Sequence, residues 1–193
     1  MSDNFEYYKP FDLAMTIGRF HDFHNGHKHM INTARTMADR ILILVGSSQE
    51  EGTERNPFDI YTRIQMIKEV FPFDSVIVKP LADLTNENDI SHEWGKYLLK
   101  KTIQHMDKLP ELMVYGNDDS RSGWFDKEDI KDITEIVVSR SKMNISATQM
   151  RRLLVENNRD EWFKYHDQKL HKHFDKLRNM LLKIDYYKKL ASN

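Results

Sequence analysis

The stretch Asp12-Leu-Ala-Met-Thr-Ile-Gly-Arg-Phe-His-Asp-Phe-His-Asn-Gly-His-Lys-His-Met30 decides how the rest of this 193-residue chain is read. Its apolar run ends at Gly18, four histidines follow (His21, His24, His27, His29), and Asn25-Gly26 marks a turn. From Lys28 an apolar period of three to four residues begins. The pattern predicts a strand, a tight loop and the first turn of a helix. In an α/β protein, such a junction offers backbone N–H groups and the positive end of a helix to an anion.

Four further apolar runs are nearly continuous rather than alternating: Arg40–Gly46, Ser75–Lys79, Glu111–Gly116 and Glu135–Ser139. That is the signature of strands covered on both faces of a parallel sheet. Between them, Lys28–Ala38, Pro57–Phe71 and Ser91–Met106 carry apolar residues at helical spacing, and Pro57 suits a first-turn position. The alternation predicts an α/β fold: a Rossmann-like, doubly wound, five-stranded parallel sheet with helices on both faces. Its binding crevice then lies at the carboxyl ends of the strands. Ser146 or Thr148 caps a further helix running to about Asn157. Residues 161–190 read as one long amphipathic stretch with Leu170, Phe174, Leu177, Leu181 and Ile184 on its apolar seam. The expected organisation is an α/β domain over 1–160 and a C-terminal helical extension over 161–193 packed on it. The alternative is a short coiled-coil seam that would join copies into a homo-oligomer.

Composition narrows the function classes. Lys plus Arg (29) nearly balances Asp plus Glu (30), which argues against nucleic acid or a membrane surface as partner. With no cysteine, disulfides, thiolate nucleophiles and Cys-based zinc sites are excluded. The apolar runs are far too short for a membrane span, and the acidic N-terminus lacks the parts of a signal peptide, so a cytoplasmic protein is expected.

Two constellations carry chemistry. In His24-Asn25-Gly26-His27, two imidazoles flank a glycine that lets a phosphate approach the backbone. Histidine donors suit a polyphosphate whose negative charge grows at the bridging oxygen as pyrophosphate leaves. In Ile145-Ser146-Ala147-Thr148-Gln149-Met150-Arg151, hydroxyls and amides at a helix start are followed one turn later by an arginine, a second phosphate grip. A rival reading makes the histidine cluster a zinc or nickel site, but no carboxylate or helical histidine spacing supports it.

Gly18-Arg19-Phe20-His21-Asp22-Phe23-His24-Asn25-Gly26-His27 resembles the Gly-Arg-Phe-Gln-Pro-Phe-His-x-Gly-His signature of nicotinamide mononucleotide adenylyltransferases of the archaeal and bifunctional bacterial type. These belong to the His-x-Gly-His nucleotidyltransferases. Residues 145–151 resemble the family's Ile-Ser-x-Thr-x-x-Arg motif, roughly 120 residues downstream, and the resemblance covers about residues 11–160. It implies transfer of AMP from ATP to nicotinamide mononucleotide, with Mg²⁺ bound through the ATP phosphates and no metal held by the protein itself. His24, His27 and Arg151 would be catalytic. Gly18, Arg19, Phe20, Gly26, Gly116, Asn117, Asp118, Ile145, Ser146 and Thr148 would bind ATP. Asp83, Trp94 and Arg140 would bind the pyridine mononucleotide, although Trp94 reads equally well as core. Asn56-Pro57-Phe58 with Arg63 also matches, and Arg63 is expected to be structural. His21 and Asp22 depart from the family's Gln and Pro, and Asp22 is expected to add negative charge near the phosphates. No Nudix box occurs, so the second activity of the bifunctional relatives is not expected. Two other readings stay open: a different phosphorylated acceptor for the same chemistry, and a nucleotide-sensing module without turnover.

Overall fold

The computed structural model describes residues 8–86, 91–116, 122–139 and 145–192. In chain order, β1 (Phe11–Gly18), α1 (Asn25–Met37), β2 (Ala38–Val45), α2 (Ile60–Val70) and β3 (Val76–Pro80) form the first half. The second half holds α3 (His92–Met106), β4 (Leu112–Tyr115), a 3₁₀ turn (Ser122–Trp124), β5 (Thr134–Val137) and α4 (Ala147–Val155). The chain closes with α5 (Arg159–Lys164), a 3₁₀ segment (Gln168–His173), α6 (Phe174–Leu181) and α7 (Asp185–Ala191).

All strand pairs are parallel and the sheet order is β3-β2-β1-β4-β5. The chain winds outward from β1 to β3, then returns to place β4 on the other side of β1. The carboxyl ends of β1 and β4 therefore flank the topological switch point, where open α/β sheets bind ligands. Strand alternation separates two cores. Ala14, Ile41, Ile43, Leu112 and Val114 face α1, α2, α4 and the C-terminal helices. Leu13, Met15, Leu42, Leu44 and Met113 face α3. At Gly95 on α3 a side chain would collide with the Trp124 carbonyl, so glycine lets the 3₁₀ turn lie directly on that helix.

Helix starts differ from the pattern reading. α1 begins at Asn25 rather than Lys28, so Asn25 and Gly26 lie inside its first turn. α2 begins after Pro57-Phe58, with Asp59 as its cap, accepting from the Thr62 N–H and hydroxyl at 2.8 Å each. The C-terminal stretch is not one helix. Asp167 restarts the chain after α5 by accepting from the Lys169 N–H, and α6 and α7 follow as separate short helices. Leu170, Phe174, Leu177 and Leu181 are fully buried in the chain's own core, so the coiled-coil seam is already occupied. Among the described residues, no helix is long and apolar enough to cross a membrane.

Beneath the switch point lies Arg63, fully buried on α2. One guanidinium nitrogen, Nη1, donates to the carbonyls of Gly46 (2.7 Å) and Arg19 (3.1 Å), and Nη2 donates to Ser47 (3.0 Å). Burial lowers its pKa to about 10, which leaves it charged at neutral pH. One side chain thus cross-links the loops leaving β1 and β2. Arg63→Met should lower unfolding free energy by at least about 3 kcal/mol, because three carbonyls lose a charged donor. Arg63→Lys should recover less than half of that, since an ammonium does not span both loops. Urea denaturation of both variants reads the difference, and a Lys variant as stable as the parent would rule out the cross-link.

Candidate active site

The loop between β1 and α1 holds two left-handed residues, Phe20 (φ 54°) and Asp22 (φ 59°), and Ser47 after β2 is left-handed too (φ 49°). Such backbone costs about 1–3 kcal/mol per residue and persists where surroundings enforce it. Here Arg63 holds the carbonyls of Arg19 and Ser47, while Asp22 is held by its own side chain. Asp22 Oδ2 accepts from Trp162 Nε1 (3.2 Å), and Oδ1 lies 2.7 Å from His166 Nε2. Asp22 and His166 are both fully buried at the side chain. The other ring nitrogen of His166 donates to the Trp162 carbonyl at 2.7 Å, so both sides of the ring are held. The Asp22 carboxyl group thus turns into the core against Trp162 and His166, and Asp22 is not among the residues lining the cavity described below.

His24 and His27 cap α1 reciprocally. His24 Nδ1 accepts from the Gly26 N–H (3.1 Å), and His27 Nδ1 accepts from the His24 N–H (3.4 Å). Both Nδ1 atoms act as acceptors, so in the neutral ring each Nε2 carries the proton and serves as donor. The rings stack with centroids 3.9 Å apart, and His27 packs on Phe23 and Phe20. A capping box built from histidines thus sets the start of α1 and orients both donors. His29 is exposed one turn on. Among the described residues, no group of three or more His, Asp or Glu is placed to hold a metal ion.

These residues line a cavity of about 240 Å³ together with Gly18, Arg19, Phe20, His21, Gly116 and Arg151. A narrow, mainly apolar slot continues from it along Gly26, Met30, Gly116, Val138 and Ile145. Ser146 caps α4 by accepting from the Gln149 N–H (3.1 Å), and Thr148 accepts from Arg151 Nη2 (3.3 Å). From the second motif Ala147 and Arg151 line the central cavity, so the two motifs, distant in sequence, meet there; Thr148 lines a neighbouring cavity and Ser146 lies outside both linings.

Other expected residues lie elsewhere. Asp83 accepts from the Ser47 hydroxyl (3.2 Å) and Gln49 Nε2 (2.9 Å), outside the residues lining that cavity. Trp94 is 6% exposed, packed on Tyr97 and Trp124 in the core on the α3 side. Asn117, Asp118 and Arg140 lie outside the described residues. Sequence reasoning missed Arg55, which lines the cavity beside Arg151; only its place next to Asn56-Pro57-Phe58 distinguishes it from any surface arginine.

A cytidylyltransferase-like family model matches residues 15–153, which span both motifs, the carboxyl half of β1 and the four other strands. The chain belongs to the cytidylyltransferase-like family. Among its relatives, a nicotinamide-nucleotide adenylyltransferase of Saccharolobus solfataricus is 28% identical over 150 residues, 75% of this chain and 79% of that one. Another of that name, from Methanolobus tindarius, is 42% identical over 106 residues, 54% of this chain and 56% of that one. The fold matches a crystal structure of a bifunctional NMN adenylyltransferase/ADP ribose pyrophosphatase from Francisella tularensis, complexed with AMP and a Mn ion, with a TM-score of 0.70 at 24% identity. That match covers 94% of this chain and 52% of the bifunctional protein.

His21, which stands where the signature has glutamine, is buried against α2's approach. Its Nε2 meets Asn56 Oδ1 at 3.0 Å and its Nδ1 accepts from the Phe58 N–H at 3.4 Å. Burial, with Arg63, Arg19 and Arg151 nearby, pulls its pKa down to about 2 against the hydrogen bond it donates to Asn56. Folded, the ring stays neutral; unfolded, it protonates near about 6.5. The unfolded chain therefore binds the extra proton as pH falls, so stability present above about pH 6.5 is lost below it, by about 1.4 kcal/mol per pH unit. His21→Gln removes this acid sensitivity. Between about pH 6.5 and about pH 5, the parent should lose about 2 kcal/mol more than the variant in urea denaturation; equal losses would refute the buried neutral imidazole.

Proposed function

We propose that the chain is a nicotinamide-nucleotide adenylyltransferase, which joins ATP and nicotinamide mononucleotide into NAD and pyrophosphate. The observation that carries this reading is the pair of rigidly capped histidines at the start of α1, facing Arg151 across one cavity at the switch point. An oxygen of the acceptor's 5′-phosphate attacks the α-phosphorus of ATP in line. The bond from that phosphorus to the bridging oxygen breaks, and pyrophosphate leaves with the electron pair. The acceptor phosphate is already a nucleophile, so no covalent intermediate on the protein is required. Catalysis is positioning plus charge stabilisation.

In this reading, the Nε2–H groups of His24 and His27 stabilise charge around the α- and β-phosphates. Arg151 and the backbone amides over Ser146–Thr148 at the start of α4 hold the β- and γ-phosphates. Arg19 and Arg55 add positive charge at the rim, and Gly18, Phe20 and Gly26 shape the approach. The adenosine is assigned to the carboxyl end of β4, beside Gly116, with Asn117 and Asp118 next in sequence. The acceptor is assigned to the β2–β3 side, where Asp83 stands and Trp94 backs the wall, with Arg140 contributing to its phosphate. We propose Mg²⁺ as the metal, bound through phosphate oxygens and water, where it supplies charge neutralisation.

The test is pyrophosphate release with ATP, GTP or CTP against nicotinamide mononucleotide, nicotinate mononucleotide and other phosphorylated acceptors. ATP with a pyridine mononucleotide should be the productive pair, and no release from that pair would sink the proposal. His27→Ala should lower kcat by about 10²–10³ with an unchanged far-UV circular dichroism spectrum. Retained kcat would remove the histidine from the mechanism.

A further inference from the structure

Arg151 stands on a partition. It lines the central cavity of about 240 Å³ and also a second, larger cavity of about 670 Å³ bounded by α4, α7 and the Glu54-Arg55 segment. A long, flexible arginine with open space on both sides loses phosphate-binding strength unless something fixes its guanidinium. Tyr187 on α7 does so. It is 3% exposed, and its hydroxyl accepts from Arg151 Nε at 2.8 Å while donating to the Glu54 carbonyl at 2.7 Å. The phenol thus has its proton committed to the backbone, and its lone pair is aimed at one nitrogen of the guanidinium. With Thr148 on Nη2, two contacts fix the plane of the fork and leave its other N–H groups for an anion. The same phenol ties down the carbonyl preceding Arg55, the other arginine shared by the two cavities.

We propose that Tyr187 is a positioning residue for phosphate binding: from the wall of the second cavity its hydroxyl, with Thr148, fixes the Arg151 guanidinium at the edge of the central cavity, which makes α7 part of the site. This rests on reading that cavity as the triphosphate site. Nothing in the sequence of α7 marks it, because Tyr187 touches the arginine across 36 residues.

The test is a double-mutant cycle, with inorganic tripolyphosphate as probe and calorimetry as readout. The proteins are the parent, Tyr187→Phe, Arg151→Ala and the double variant. Tyr187→Phe removes one oxygen and keeps the ring, and its thermal midpoint shows whether the fold is kept. Tripolyphosphate should bind it about tenfold more weakly than the parent, the order expected of one hydrogen bond to a charged group. In the Arg151→Ala background the same change should do nothing. Where NAD is formed, KM for ATP should rise about tenfold while KM for the acceptor holds. Unchanged tripolyphosphate binding by Tyr187→Phe, or an equal loss in both backgrounds, would overturn the inference; so would a parent that does not bind tripolyphosphate. A parent that binds tripolyphosphate in a Tyr187-dependent way but makes no NAD would overturn the proposed reaction and leave the positioning role standing.

Discussion

The guanidinium of Arg63 is the constraint on which the site depends. A buried charge is costly unless every donor is matched, and here the matching groups are the carbonyls of Arg19, Gly46 and Ser47. These carbonyls belong to two loops that leave adjacent strands and pass through left-handed backbone at Phe20, Asp22 and Ser47. Without a donor from below, each carbonyl would turn toward water and the loops would relax to ordinary dihedrals. With it, the peptide groups above face the crevice in a set arrangement, and the first turn of α1 follows at a defined angle. The helix that carries Arg63 is itself fixed by Asp59 at its start and by the core beneath β2. Sheet, helix and phosphate loop are thereby linked through one side chain.

Much of this was legible in the sequence because it depends on local pattern. Five apolar runs of strand length, interleaved with helical periods, state a doubly wound sheet, and the observed strands lie within about two residues of those runs. The motifs at 18–27 and 145–151 were legible because their chemistry is concentrated in a few consecutive residues. What failed has a common cause. The start of α1 was misplaced because histidine is not an expected capping residue, yet His24 and His27 satisfy each other's end of the helix. The C-terminal stretch has continuous amphipathic spacing, but Asp167 and the inward turn of His166 interrupt it for tertiary reasons. Arg55 and Tyr187 carry no local signal at all. Pairwise tertiary contacts are invisible to periodicity.

Asp22 shows the same limit most clearly. Proline holds φ near about −65°, whereas Asp22 sits at φ 59°, a region that Asp tolerates better than most residues. The loop therefore takes a different path at this position from one fixed by proline, and a different source of rigidity is required. It comes from 140 residues or more downstream, where Trp162 and His166 meet the Asp22 carboxylate. Neither end of that contact has meaning alone: an aspartate in a phosphate loop reads as added negative charge, and a histidine between two short C-terminal segments carries no pattern.

Residues 161–193, which carry no motif, consequently secure both halves of the phosphate site. At the first half, Asp22 meets Trp162 and His166, the Asn25 N–H donates to the Tyr165 carbonyl at 2.7 Å, and Lys28 pairs with Asp167 at 2.6 Å. At the second half, Tyr187 meets Arg151. Between these anchors, Leu170, Phe174, Leu177 and Leu181 fill the core against α2 and α4. Their apolar burial supplies the stability that lets the polar anchors hold strained backbone without unfolding it. The Lys28–Asp167 pair is partly buried and still reached by solvent, which limits its contribution; the buried Asp22 contact and the packed seam decide the geometry. The extension is thus best understood as the wall that closes the site from behind, replacing with long-range contacts the rigidity that a proline would have supplied locally.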